Sequence, residues 1–138
     1  MRFRLSRAYR FYFEQNMNTF LKNIKQGLKR ILKAFVYSYD GFKALIKSEP
    51  AFRQDLAVFI FFTPLCFILN VSNAERALMI FALFFILFAE AVNTAVETCI
   101  DRISSEIHPL SKKAKDIGSL VVLLSFINAI VIWAVILL

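Results

Sequence analysis

Residues 77–101, ALMIFALFFILFAEAVNTAVETCID, decide how this chain folds. Thirteen unbroken apolar residues, Ala77 to Ala89, lead into Glu90, Asn93, Glu97 and Asp101, spaced three, four and four. At about 100° per residue these polar side chains stack on one helix face, with Glu90 and Glu97 about 20° apart around the axis. Crossing about 30 Å of hydrocarbon takes roughly 20 helical residues, so this run spans a membrane only if the helix continues through the polar stripe to about Cys99. A polar residue inside a span costs on the order of 2.5–3.5 kcal/mol and usually faces a bundle interior or a cavity. Here two glutamates and an asparagine share one side of the helix.

The flanks supply two more spans. Leu56 to Ala74 is a run of 19 residues without a charge, and Ile117 to Leu138 a run of 22. Three transmembrane helices are expected at about 51–70, 77–100 and 116–138. The rest of the composition agrees, since 59% of the 138 residues are apolar, with only 3 glycines and 3 prolines, which excludes a disordered tail or an ordinary soluble domain.

The net charge of +7 would by itself suggest nucleic acid, but its distribution excludes that partner. Twelve of the 17 basic residues lie at or before Arg53, four lie at Arg102, Lys112, Lys113 and Lys115, and Arg76 stands alone in the first loop. The positive-inside rule therefore sets the N-terminus in the cytoplasm and the C-terminus outside. No cleavable signal peptide is expected, because the first 30 residues hold no apolar stretch with a small-residue cleavage site. Cys66 and Cys99 have no ligand spacing and are expected as free thiols packed like small apolar residues.

Residues 1–28 mix Arg and Lys with Phe and Tyr without a clean period, which fits either an interfacial anchor or a frayed tail. From about 30 to 48 the pattern sharpens, with Ile31, Ala34, Phe35, Ser38, Phe42, Leu45 and Ile46 at spacings of three and four. That is an amphipathic helix lying in the membrane surface, with Gly41 expected to bend or break it. Glu49-Pro50 should start the first span, and Pro64 is tolerated within it as a kink. Residues 29–138 thus form one unit behind an N-terminal extension.

Two carboxylates and an amide on one buried face admit three readings. They could join neighbouring helices by hydrogen bonds, form a proton or ion path, or hold a hard cation beside acid–base chemistry. The loop DRISSEIHPLSKKAKDIGS leaves the same helix end as Glu97. Its lysines either attract lipid headgroups or neutralise a polyphosphate whose metal Glu97 would hold. His108, the single histidine, has no metal partner, so it is either a hydrogen-bonding or phosphate-contacting group or simply exposed. No GxxxxGK[ST] loop and no kinase glycine loop is present, which excludes both soluble nucleotide-enzyme classes.

Glu90-Ala-Val-Asn93-Thr-Ala-Val-Glu97, then Ile100-Asp101-Arg102 and Ala114-Lys115-Asp116-Ile117-Gly118-Ser119, closely resembles the signature of the prokaryotic integral-membrane diacylglycerol kinase family. Upstream, the resemblance includes Arg30 to Ala34, Tyr37-Ser38, Gly41 and Glu49 to Asp55, and it reaches Trp133, covering about residues 29–138. It implies an all-α membrane protein of one surface helix and three transmembrane helices. The assembly would be a homotrimer in the bacterial inner membrane, with active sites partly shared between protomers. The implied activity is transfer of the ATP γ-phosphate to the primary hydroxyl of diacylglycerol, with Mg²⁺, giving phosphatidic acid.

The resemblance also implies residue roles. Glu90 would be the general base and Asn93 would orient it, while Glu49 and Glu97 would hold Mg²⁺ on the nucleotide phosphates. Arg30, Tyr37, Glu106, Ile107, His108, Lys115 and Asp116 would contact ATP. Ser38, Arg53, Gln54, Ser119 and Trp133 would border the lipid, with Arg30 and Glu90 also touching it. Phe35, Asp40, Ser104 and Ile107 depart from the family pattern, and residues 1–28 lie outside it. The related undecaprenol kinases share the stripe, but Ala51-Phe-Arg-Gln-Asp55 looks like the diacylglycerol branch. A non-catalytic trimer carrying a proton or ion path is the rival of another class.

Overall fold

The computed structural model describes residues 7–103, 106 and 108–138, with the side chains of 12, 13 and 15 onward within that range. Among the described residues there are four helices, α1 Arg7–Ser48, α2 Pro50–Ile68, α3 Asn73–Ile103 and α4 Pro109–Leu137. The last three are each long and apolar enough to cross a membrane, so the chain is an all-helical, multi-pass membrane protein.

The starts of α2, α3 and α4 each have a local cause. Glu49 leaves the helical region (φ −105°, ψ 104°) and Pro50 takes the first helical position of α2, where its missing N–H is not needed. Ser72 and Glu75 form a capping box at the start of α3. The Ser72 N–H donates to Glu75 Oε2 at 2.7 Å and the Glu75 N–H donates to Ser72 Oγ at 3.3 Å. His108 caps α4, its Nδ1 accepting from the Leu110 N–H at 3.2 Å, with Pro109 following. These caps lie outside the apolar runs. Accordingly α3 begins four residues before the expected 77, and α4 seven before the expected 116.

The surface helix differs more. It begins at Arg7 rather than near 30, and it passes through Gly41 unbroken. One glycine costs an α-helix only about 1 kcal/mol relative to Ala, too little to end a helix of 42 residues. The described residues of Met1–Lys43 form one compact unit, and those of Ala44–Leu138, beginning in the last turn of α1, form a second.

In the second unit α3 is the central helix and packs against both α2 and α4. Ala82, Ile86 and Ala129 form the α3–α4 core, flanked by Phe126 and Ile132. Small side chains here let the backbones approach closely, which favours helix packing in lipid. Contacts between Met79 and Trp133, Asn93 and Gly118, and Asp101 and Lys115 run in antiparallel register. Arg76 closes the turn between α2 and α3. Its Nε donates to the Cys66 carbonyl at 2.7 Å, and its terminal nitrogens donate to Asn73 Oδ1 at 2.7 Å and the Val71 carbonyl at 3.3 Å. Cys66 is buried as expected. Cys99 instead lies exposed on α3, because its position turns away from both packed neighbours.

Candidate active site

The polar stripe of α3 runs from a buried end to an exposed one. Glu90 is 6% exposed and Asn93 9%, Glu97 is half-buried, and Asp101 reaches solvent. Burial therefore decreases along the stripe, as it would for a helix whose polar face leads from a closed interior to an aqueous boundary.

Asn93 links the stripe to α4. Its Nδ2 donates to Glu97 Oε1 at 3.3 Å, while its Oδ1 is buried with no hydrogen-bond donor. That oxygen lies so close to Gly118 that a Cβ there would overlap it. Gly118 is thus required by close approach, and the only glycine in the second unit stands opposite the buried amide. An open cavity of about 300 Å³ lies beside this contact, lined by Val92, Asn93, Val96, Ala114, Ile117, Gly118 and Val121.

Three other carboxylates, Asp55, Glu97 and Glu49, lie within electrostatic reach of Glu90. Asp55, buried on α2, carries no role in the sequence reading, because nothing in the run Ala-Phe-Arg-Gln-Asp marks its last residue as the one facing α3. Glu49 is half-buried and accepts from Ser48 Oγ at 2.9 Å. Among the described residues no ion pair joins a lysine or arginine to any of these four carboxylates. Oxygen donors without a neutralising side chain suit a hard divalent cation. No three such groups converge closely enough to hold one by themselves, and Mg²⁺ commonly completes its shell with water and substrate phosphate oxygens.

The remaining expected site residues are distributed unevenly. Lys115 pairs with Asp101, and Lys112 with Asp116, both near the open end of the stripe. These exposed pairs contribute little stability and can be exchanged for a more highly charged anion at small cost. His108 is occupied at Nδ1 by its capping bond. Glu106 and Ser119 are exposed, and Ile107 lies outside the described residues. Arg53 donates to the carbonyls of Ile46 and Lys47 at 3.0 and 3.5 Å, satisfying the end of α1, while Gln54 is exposed. Arg30, Tyr37 and Ser38 are exposed on α1 within the first unit.

Trp133 is far from the carboxylates. Its Nε1 donates to the Met79 carbonyl at 3.3 Å, and its ring meets Phe62 edge-on at 5.6 Å. It ends an apolar groove of about 280 Å³, lined also by Val58, Phe62, Leu83, Ile86, Phe126, Ala129 and Ile130.

The sequence profile of prokaryotic diacylglycerol kinase matches residues 36–137. The diacylglycerol kinase of Pseudomonas aeruginosa is 47% identical over 112 residues, covering 81% of this chain and 91% of its own length. That of Escherichia coli K12 is 39% identical over 118 residues, covering 85% and 96%. That of Helicobacter pylori 26695 is 37% identical over 108 residues, covering 78% and 84%. The matched stretch contains all three candidate spans and the whole buried stripe, and the chain belongs to the prokaryotic diacylglycerol kinase family.

Proposed function

We propose that the chain is an ATP-dependent diacylglycerol kinase of the bacterial inner membrane, working as a homotrimer with its N-terminus cytoplasmic and its C-terminus periplasmic. The observation that carries this reading is the buried Glu90, with Asn93 and Glu97 below it on the same helix face and Asp55 and Glu49 within electrostatic reach. A passive interhelical link would need no such concentration of negative charge, since Ser, Thr or Asn can supply the hydrogen bonds.

In this reading Glu90 accepts the proton of the lipid's primary hydroxyl. The hydroxyl oxygen attacks the γ-phosphorus, the bond to the β–γ bridging oxygen breaks, and ADP and phosphatidic acid leave. Asn93 donates through its Nδ2 to Glu97 and not to Glu90, the group the resemblance had it orient, and Glu49 and Glu97 would hold Mg²⁺ with the nucleotide phosphates. The cation neutralises phosphate charge when bound. Lys115 and Arg30 add positive charge on the nucleotide side, since phosphoryl transfer depends chiefly on positioning and charge neutralisation.

The purified protein in lipid, given MgATP with diacylglycerol or undecaprenol in parallel, tests the assignment. Phosphatidic acid is the expected product, and no phosphorylated lipid in either arm would refute a kinase. Glu90→Gln is expected to abolish turnover while assembly and ATP binding persist; a variant with near-normal activity would overturn the role of Glu90 as base.

A further inference from the structure

From Arg7 onward the segment ahead of the family's matched region is helical and runs into the rest of α1 without interruption. In that helix Phe13, Met17, Phe20, Ile24, Leu28 and Ile31 follow at steps of four, three, four, four and three. They occupy an arc of about 80°. The stripe runs on in register to Phe35 and Phe42, all within the first compact unit. From Phe13 to Ile31 its side chains lie open among the described residues of this unit, with Phe13 64% exposed, Phe20 59% and Leu28 55%. Lys22, Lys25, Lys29 and Lys33 fall on the opposite and flanking arc, and Glu14 is the only acidic residue between Arg7 and Tyr39.

We infer that residues 13–33 form an interfacial helix that binds anionic phospholipid. The apolar stripe enters the acyl boundary and the lysines meet headgroup phosphates. Charge complementarity selects this occupant. An apolar stripe whose charged neighbours are all basic but for Glu14 suits a negatively charged lipid surface, whereas a face meeting a second copy of itself would bring like charges together. The chain's three candidate spans keep such a surface within reach. The inference does not depend on the kinase chemistry, because none of Lys22, Lys25, Lys29 or Lys33 belongs to the candidate site.

The test uses the full chain with Cys99 replaced by Ser, reconstituted in phosphatidylcholine vesicles with and without phosphatidylglycerol. Nitroxides are placed singly at Phe20, Ile24 and Leu28, and at Asn18, Asn23 and Gln26. The first three are expected to be reached by oxygen from the lipid and the second three by a water-soluble relaxation agent. The contrast should increase with phosphatidylglycerol and weaken in high salt. A basic residue at an anionic surface strengthens adsorption about fivefold. Changing Lys22, Lys25 and Lys29 together to Glu should therefore weaken adsorption on the order of a hundredfold or more and remove the phosphatidylglycerol dependence. Stripe labels open to the aqueous agent in both vesicles would refute the inference. So would labels closed to both agents, which would mean a protein surface covers the stripe, or a contrast unaffected by phosphatidylglycerol and by the charge reversal.

Discussion

Gly118→Ala tests whether the contact between α3 and α4 organises the site. The added Cβ would overlap Asn93 Oδ1 and lie 3.2 Å from Asn93 Cγ, inside the optimum for two carbons, but at an ordinary 3.9 Å from the Asn93 Cα. The helices can therefore stay packed while the amide swings away, which breaks the Nδ2 bond to Glu97. A hydrogen bond to a charged group contributes about 1.5–3 kcal/mol, so catalytic efficiency should fall roughly 10- to 150-fold. Fold stability should change much less. Overpacking costs about 1–3 kcal/mol, and Ala in place of Gly returns about 1 kcal/mol of helix propensity. Initial rates in mixed micelles and thermal unfolding by circular dichroism separate the two effects. On an Asn93→Ala background the room is already made, and the second substitution should lower activity no further. The reasoning fails if Gly118→Ala keeps wild-type efficiency, or if its effect is as large without the Asn93 side chain as with it.

Two further perturbations bear on other parts of the molecule. Glu97→Gln keeps an acceptor for Asn93 Nδ2 and removes the charge, so the Mg²⁺ concentration for half-maximal rate should rise about tenfold or more; an unchanged requirement would remove Glu97 from the metal site. Arg76→Ala deletes all three donors that close the α2–α3 turn and should destabilise the fold by about 2 kcal/mol. Arg76→Lys should recover only part of this, because an ammonium cannot reproduce the planar fork, and equal melting of both variants would show the fork to be unimportant.

The first and third spans were legible because each contains a charge-free run close to or longer than the hydrocarbon thickness, and the middle one because spacings of three and four carry its shorter apolar run on through a one-sided polar stripe. Boundaries read from charge alone stopped short. Ser72-x-x-Glu75 and His108-Pro109 are cap signals visible in the sequence, and attention to them places the starts of α3 and α4 correctly. The extension was harder to read. Arginines and aromatic residues are mixed without a period up to Phe13 and hide a stripe that becomes regular only beyond it. Asp55 and Gly118 lay further from reach, because their importance comes from the registers of α2 on α3 and of α4 on α3, which no single segment encodes.

Register also separates the chemistry from the lipid tails. Trp133 stands level with Met79, eleven residues before Glu90 on α3, a rise of about 16 Å or roughly half the hydrocarbon thickness. A hydroxyl held at Glu90 therefore places the tryptophan beside acyl chains rather than beside the reacting oxygen. The wholly apolar groove that Trp133 closes has the character such a chain needs. Ile130 borders this groove yet is 66% exposed, so a larger side chain there can fill the groove without disturbing the core. Ile130→Phe should raise KM for long-chain diacylglycerol more than for short-chain, with kcat and the KM for MgATP within a few-fold of wild type. Rates for both chain lengths, measured with total lipid held constant, give the answer. A uniform fall in kcat would mean that the groove supports the fold or the chemistry and does not read the chain.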